Sequence, residues 1–276
     1  MASSVPTGAT LAGVWEKVRR ARKLFTVLES EVRPWVEAQR PTLAHQGDPQ
    51  TGWHTWRLRG PGPPPPLQWS VILGEIIHDL RSALDHLVWQ LVIANGKSPT
   101  KKNQFPIFSG PAAAKDWKDR RNRWTAMLSG VDVDAVRLIK SMQPYRTRDR
   151  LTWSPLEMLA DFSDTDKHQL LVTSWAGMVP NPAVGSPFLV NPPPAGAVYI
   201  EFRGATALRW PLPIDDTEVF ALRIEPPTAK PNVEVNTHVG MTVGLGEGQW
   251  ITLHDLISIL EEVESVVRGL GRWMEP

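Results

Sequence analysis

The segment from Leu67 to Ala94 constrains this chain more than any other. It reads as one long helix, with prolines from Pro61 to Pro66 before it and an Asn95-Gly96 stop after it. At about 100° per residue, Glu75, His78, Asp79, Ser82, Asp85 and His86 fall within an arc of roughly 120°, with Arg81 at its edge. Ile76, Leu80, Ala83, Leu84, Leu87 and Leu91 fill much of the other side. An amphipathic surface helix ordinarily shows Lys and Glu on its wet face. Two histidines, three carboxylates and an arginine within a few turns instead mark a place where chemistry could occur.

The rest of the chain supplies a core for that helix. Among 276 residues, 42% are hydrophobic, enough for one large domain or two small ones. Thirty basic against twenty-nine acidic residues leave a net charge of +1, so no global field recruits nucleic acid or an anionic membrane, and any such contact must be local. The absence of cysteine excludes disulfides, thiol nucleophiles and thiolate metal sites. The N-terminal residues lack a basic start followed by an apolar run, and no stretch has the roughly eighteen apolar residues of a membrane span. The sequence therefore reads as that of a soluble, cytoplasmic protein with no membrane partner.

Periodicity predicts further helices over Leu11 to Val32, Ala112 to Leu128, Asp132 to Met142, Ser154 to Phe162 and Leu253 to Leu270. Pro34 is expected to bend or end the first of them, with a continuation of a turn or two through Trp35 and Val36 left open. Trp53 to Arg59 alternates as a strand does. After His168 the pattern changes to strands, at Leu170 to Trp175, Val198 to Arg203, Ala205 to Leu212, Val219 to Ile224 and Val233 to Val243. The expected fold is α+β: an N-terminal helical bundle, residues 1–168, carrying the polar helix, then an antiparallel β-sheet with a C-terminal closing helix, residues 169–276, the two packed as one unit.

Arg81-Ser-Ala-Leu-Asp-His86 resembles the R-x4-6-H signature of the HEPN-domain proteins, whose members often act as metal-independent ribonucleases. The resemblance implies a homodimer acting on RNA, with His86 transferring a proton, Arg81 neutralising developing phosphate charge, and His78, Asp85 and His168 orienting them. Ser82 stands where that family more often has Asn, Asp or His. A wider resemblance rests on Gly74-Glu-Ile-Ile-His-Asp-Leu-Arg-Ser-Ala-Leu-Asp-His86, Gln104-Phe-Pro-Ile107, Gln143-Pro-Tyr145, Asp166-Lys-His168 and Gly246-Glu-Gly248. These blocks are similar, in the same order, to those of a group of uncharacterised bacterial proteins, from which no function transfers. That group usually has Asn where this chain has Asp79, and Arg where it has Gln169.

Other readings of the same residues stay open. Arg81 and Asp85, four apart, suit an ion pair on the helix surface, which would make the polar face a hydrogen-bond network in a non-catalytic binding or assembly protein. Glu75-Ile-Ile-His78 has the spacing of a carboxylate-bridged metal ligand pair, and Glu75, His78, Asp79 and His86 would be the ligands of a mononuclear hydrolase; no second Glu-x-x-His occurs. Asp164, Asp166, Lys167 and His168 form a further polar cluster. Three basic runs, Lys17 to Lys23, Lys115 to Arg123 beside Trp117 and Trp124, and Arg146 to Arg150, suit phosphate contacts with base stacking, or simply solvated helix faces. No nucleotide-binding loop, nucleophile elbow or His-Glu-x-x-His is present, so no cofactor is expected.

Overall fold

The computed structural model describes residues 8–38, 42–59, 65–108, 117–146, 154–166, 172–176, 188–190, 192–204, 216, 218–227, 230–235, 240–245 and 249–274. Among the described residues it is an α+β fold of six α-helices and antiparallel sheets. The chain divides into two interleaved units, one comprising Met1–Leu28, Ser70–Leu171 and His254–Pro276, the other Glu29–Trp69 and Val172–Leu253. The closing helix therefore belongs with the helices rather than with the strands that precede it. Among the described residues no helix is long and apolar enough to cross a membrane.

The helical unit is built from α1 (Ala12–Ala38), α2 (Leu67–Ala94), α3 (Trp117–Met127), α4 (Val133–Ser141), α5 (Pro155–Asp166) and α6 (Leu253–Gly271), whose outer ends at α1 and α2 are shared with the other unit. Its core joins Val14, Val18 and Ala21 of α1 to Ile76, Leu80, Leu84 and Leu87 of α2, with Leu159 and Phe162 of α5 and Leu260, Val263 and Val267 of α6, all buried. This is the apolar half of each helix that the 3.6-residue period requires. Local chemistry sets the ends. Gly96 takes φ 66°, and the N–H groups of Gly96 and Lys97 return to the carbonyls of Ile93 and Val92 at 2.9 and 3.0 Å, closing α2 with a Schellman motif. Asp132 caps α4 by accepting from Asp134 N at 2.9 Å and Ala135 N at 3.3 Å.

Two polar groups tie these helices together from inside. Glu264 of α6, 9% exposed, accepts from Arg22 Nε and Nη2 at 2.9 and 2.7 Å and from Arg268 at 2.9 Å. Gln143 is fully buried. Its amide donates to Pro106 O at 2.8 Å and Ile139 O at 3.2 Å, and its oxygen accepts from Phe108 N at 3.1 Å. The Phe-Pro-Ile and Gln-Pro-Tyr blocks are thus one physical device: the glutamine fixes the extended segment that faces α2.

In the other unit the strands are β1 (Thr42–Gly47), β2 (Trp53–Arg59), β3 (Val172–Ala176), β4 (Phe188–Val190), β5 (Val198–Gly204), β6 (Glu218–Glu225), β7 (Val233–Val235), β8 (Gly240–Leu245) and β9 (Gln249–Thr252). They form antiparallel sheets in the orders β1-β2-β6-β5, β3-β8-β9 and β4-β7. The β1–β2 turn is held by Asp48, which accepts from Gln50 N, Thr51 N and Thr51 Oγ1. It closes on Gly52 at φ 73°, where a Cβ would lie 2.3 Å from Ile224 O, so only glycine fits.

Several boundaries differ from those read in the sequence. α1 continues through Pro34 to Ala38. The run Val233 to Val243 is two strands, β7 and β8, and β1, β4 and β9 carry no sequence pattern strong enough to predict them. Ala205 to Leu212 lies outside the described residues.

Candidate functional site

The polar arc of α2 is divided between two sides. Arg81 and Asp85, about 40° apart around the helix, share one side, whereas His86, five residues from Arg81, is turned away by about 140°. On the first side Arg81 Nη2 donates to Asp85 Oδ1 at 2.8 Å and to Phe105 O at 2.7 Å, and Phe105 N donates to the same Asp85 oxygen at 2.9 Å. With side chains only 17% and 32% exposed, the pair forms a clip on the Phe105 backbone. The ion pair anticipated from the i, i+4 spacing is therefore present. Both bonds of Arg81 use Nη2, which leaves Nε and Nη1 as donors.

Beside this clip lies a cavity of about 450 Å³. His78, Arg81, Ser82 and Asp85 form its α2 wall, and Gln104, Phe105, Ile107 and Phe108 the wall held by Gln143. Arg123 and Met127 of α3 and Ala160, Ser163 and Asp164 of α5 complete it. His78 and Gln104 are exposed. Arg123 lies over the Phe108 ring at 5.7 Å, and Trp124 is 6.0 Å from the same ring. Among the described residues Arg123 has no carboxylate partner, so the cavity carries cationic donors at Arg81 and Arg123 and one titratable imidazole, His78.

His86 does not line this cavity. Its ring packs on Gly13 of α1, where a Cβ would stand 2.9 Å from His86 Cε1. The buried Nδ1 has no hydrogen-bond partner. Burial, and then the Lys17 charge, lower its pKa from the ordinary imidazole value, so the neutral ring is favoured. An imidazole held in this way shapes the α1–α2 packing and lies outside the Arg81 cavity.

The α1 side of α2 holds the remaining residues. Arg20 reaches Glu75 at 3.6 Å and Asp79 at 3.3 Å. Glu75, His78 and Asp79 share with Lys17 and Arg20 a second cavity of about 480 Å³, so His78 stands on the ridge between the two cavities. Among the described residues no three His, Asp or Glu side chains form a group that could hold a metal ion. Glu75, His78, Asp79 and His86 thus do not converge as ligands. His168 and Lys167 lie outside the described residues, as does the side chain of Asp166.

Residues of two basic runs line the two cavities. Lys17 and Arg20 flank α2 on one side and Arg123 on the other; the side chains of Arg146 to Arg150 are outside the described residues. Phe108, Met127, Ala160 and Ser163 are the cavity residues that the sequence did not single out. The only signal for them was the adjacency of the Gln104 and Gln143 blocks to the polar helix. Comparison with known proteins returns no matching family model, no matching curated protein and no matching solved structure.

Proposed function

We propose that the chain is a cytoplasmic, HEPN-like RNA-processing protein that works as a homodimer without a metal, through the cavity between α2, α3 and α5. The observation that supports this reading is the convergence there of Arg81, Arg123 and the exposed His78 beside the Phe108 ring. Arg81 Nε and Nη1, with Arg123, would hold a phosphodiester, and Phe108 offers a face for an unpaired base. His78 takes the role of proton transfer, because it alone of the two α2 histidines opens onto the arginines. In the reaction the 2′-oxygen bonds to phosphorus and the bond from phosphorus to the 5′-oxygen breaks. The proton of the 2′-hydroxyl passes to imidazole, and imidazolium returns a proton to the leaving oxygen. The second protomer would supply the second imidazole that such an exchange uses. His86 keeps a positioning part, fixing α2 on α1.

A second reading has its own observation: the closed clip of Arg81, Asp85 and Phe105 suits a structural network in a binding or assembly protein. Cleavage of single-stranded RNA by purified protein in excess EDTA separates the two. The enzyme reading expects cleavage that His78→Ala and Arg81→Ala abolish and that His86→Ala reduces less. Absence of cleavage, with Arg81→Ala losing thermal stability, transfers the polar helix to the structural reading.

A further inference from the structure

Asp79 is a buried carboxyl group with one oxygen that the fold leaves without a hydrogen bond. Its side chain is 8% exposed, and its Oδ2 is buried with no hydrogen-bond partner. Arg20 Nε is 3.3 Å from that oxygen but outside hydrogen-bond geometry, and the arginine is 60% exposed and shared with Glu75. A buried carboxylate oxygen requires a donor. Asp79 lines the α1–α2 cavity, into which Gly74 projects no side chain, and an adjoining groove along α1 that adds Glu16, Arg19 and Lys23. Lys17 and Lys23 have no carboxylate partner among the described residues.

The cavity and the groove together suit a ligand that brings a hydroxyl donor to Asp79 and an anion to Lys17 and Lys23. A ribonucleotide carries both, as its 2′-hydroxyl and its phosphate, and the 2′-hydroxyl is what distinguishes RNA from DNA at a given site. His78 belongs to both cavities, so a strand seated in one is led past it into the other. We propose that the α1–α2 cavity and its adjoining groove form a second nucleotide subsite, in which the Asp79 carboxyl group accepts from the 2′-hydroxyl and Lys17 and Lys23 hold the adjoining phosphates. This subsite rests on the RNA reading of the α2–α3–α5 cavity, and it assigns the sugar preference to Asp79.

Fluorescence anisotropy with a labelled five-nucleotide RNA and its DNA counterpart tests it, on wild type, Asp79→Asn, the Lys17→Ala/Lys23→Ala double variant and Arg81→Ala, each confirmed folded by its melting curve. Wild type is expected to favour RNA by about 10-fold, the size of one added hydrogen bond to a charged group. Asp79→Asn should bring RNA down to the level of DNA and leave DNA unchanged. The lysine variant should weaken both and lower the salt slope by about one phosphate contact, roughly 0.7 for a single strand. Retention of the RNA preference in Asp79→Asn, or of the salt slope in the lysine variant, while Arg81→Ala weakens binding, overturns the second subsite and leaves the first cavity standing. Failure of wild type to bind either strand overturns both.

Discussion

Replacing Asp79 by Asn tests whether that carboxylate is retained for stability or in spite of it. The substitution keeps shape and removes the charge. A buried acceptor on a charged group without its hydrogen bond costs about 1–3 kcal/mol. Against this stands the ion pair that the variant gives up, an off-axis approach at 3.3 Å to an arginine 60% exposed, which contributes about 0.2–1 kcal/mol. Because the asparagine amide is itself imperfectly bonded there, the net expectation is about 1 kcal/mol in favour of the variant. For a chain of this size that raises the melting temperature by roughly 2–4 °C. The assay is a reversible thermal or urea melt at pH 7. Arg20→Gln, which removes the cation 3.3 Å from the buried carboxyl group, should move the opposite way by up to about 1 kcal/mol, and the double variant should not add. A variant Asp79→Asn less stable than wild type by about 1 kcal/mol or more would refute the reasoning and make the Arg20 pair a structural strut.

Acid should weaken the fold before its carboxylates titrate. His45 is held below the ordinary imidazole pKa by burial and then by His54, whose Nδ1 is 3.1 Å from His45 Nε2, and His86 is lowered in the same direction. With folded values depressed, the unfolded chain binds more protons, so the stability these rings contribute is present above pH about 6.5 and is lost as pH falls through the lower folded values; melts from pH 7.5 to 5 should show it, and a flat profile would contradict it. Gln143→Leu should cost about 2–4 kcal/mol in urea unfolding, since it strips partners from two buried carbonyls and a part-buried N–H at once. Gly52→Ala and Gly96→Ala should rank in that order: both sit at positive φ, but only the first drives a Cβ into a carbonyl oxygen, whereas nothing lies within 4 Å at the second. Gly96→Ala is expected to cost about 1 kcal/mol for its left-handed backbone.

The elements legible in the sequence were those whose ends are written in local chemistry. α2 begins and ends as expected because prolines precede it and Asn95-Gly96 closes it, and α4 is announced by its Asp132 cap. β1 was not legible. Thr42-Leu-Ala-His-Gln-Gly47 has no apolar alternation, and it is a strand because Thr42 to Gly47 pair residue by residue with Arg59 to His54. Pro34 left two outcomes open, an end and a further turn through Trp35 and Val36, and α1 takes the second. For the site, helical periodicity gave the polar arc but not what each part of it meets. That Arg81 is drawn to the Phe105 backbone while His86 is drawn to the gap left by Gly13 depends on segments 24 residues downstream and 73 residues upstream. A six-residue motif therefore named both residues and could not show that they face different neighbours.

The most direct test of the account is the NMR signal of the His78 imidazole, assigned by loss in His78→Gln, during titration with a short single-stranded RNA. Ligand in the α2–α3–α5 cavity predicts that the His78 resonances shift with saturable dependence on RNA, that Arg81→Ala weakens that dependence, and that the His45 resonances stay in place. RNA binding that moves no His78 signal, or moves it equally in Arg81→Ala, would contradict the site.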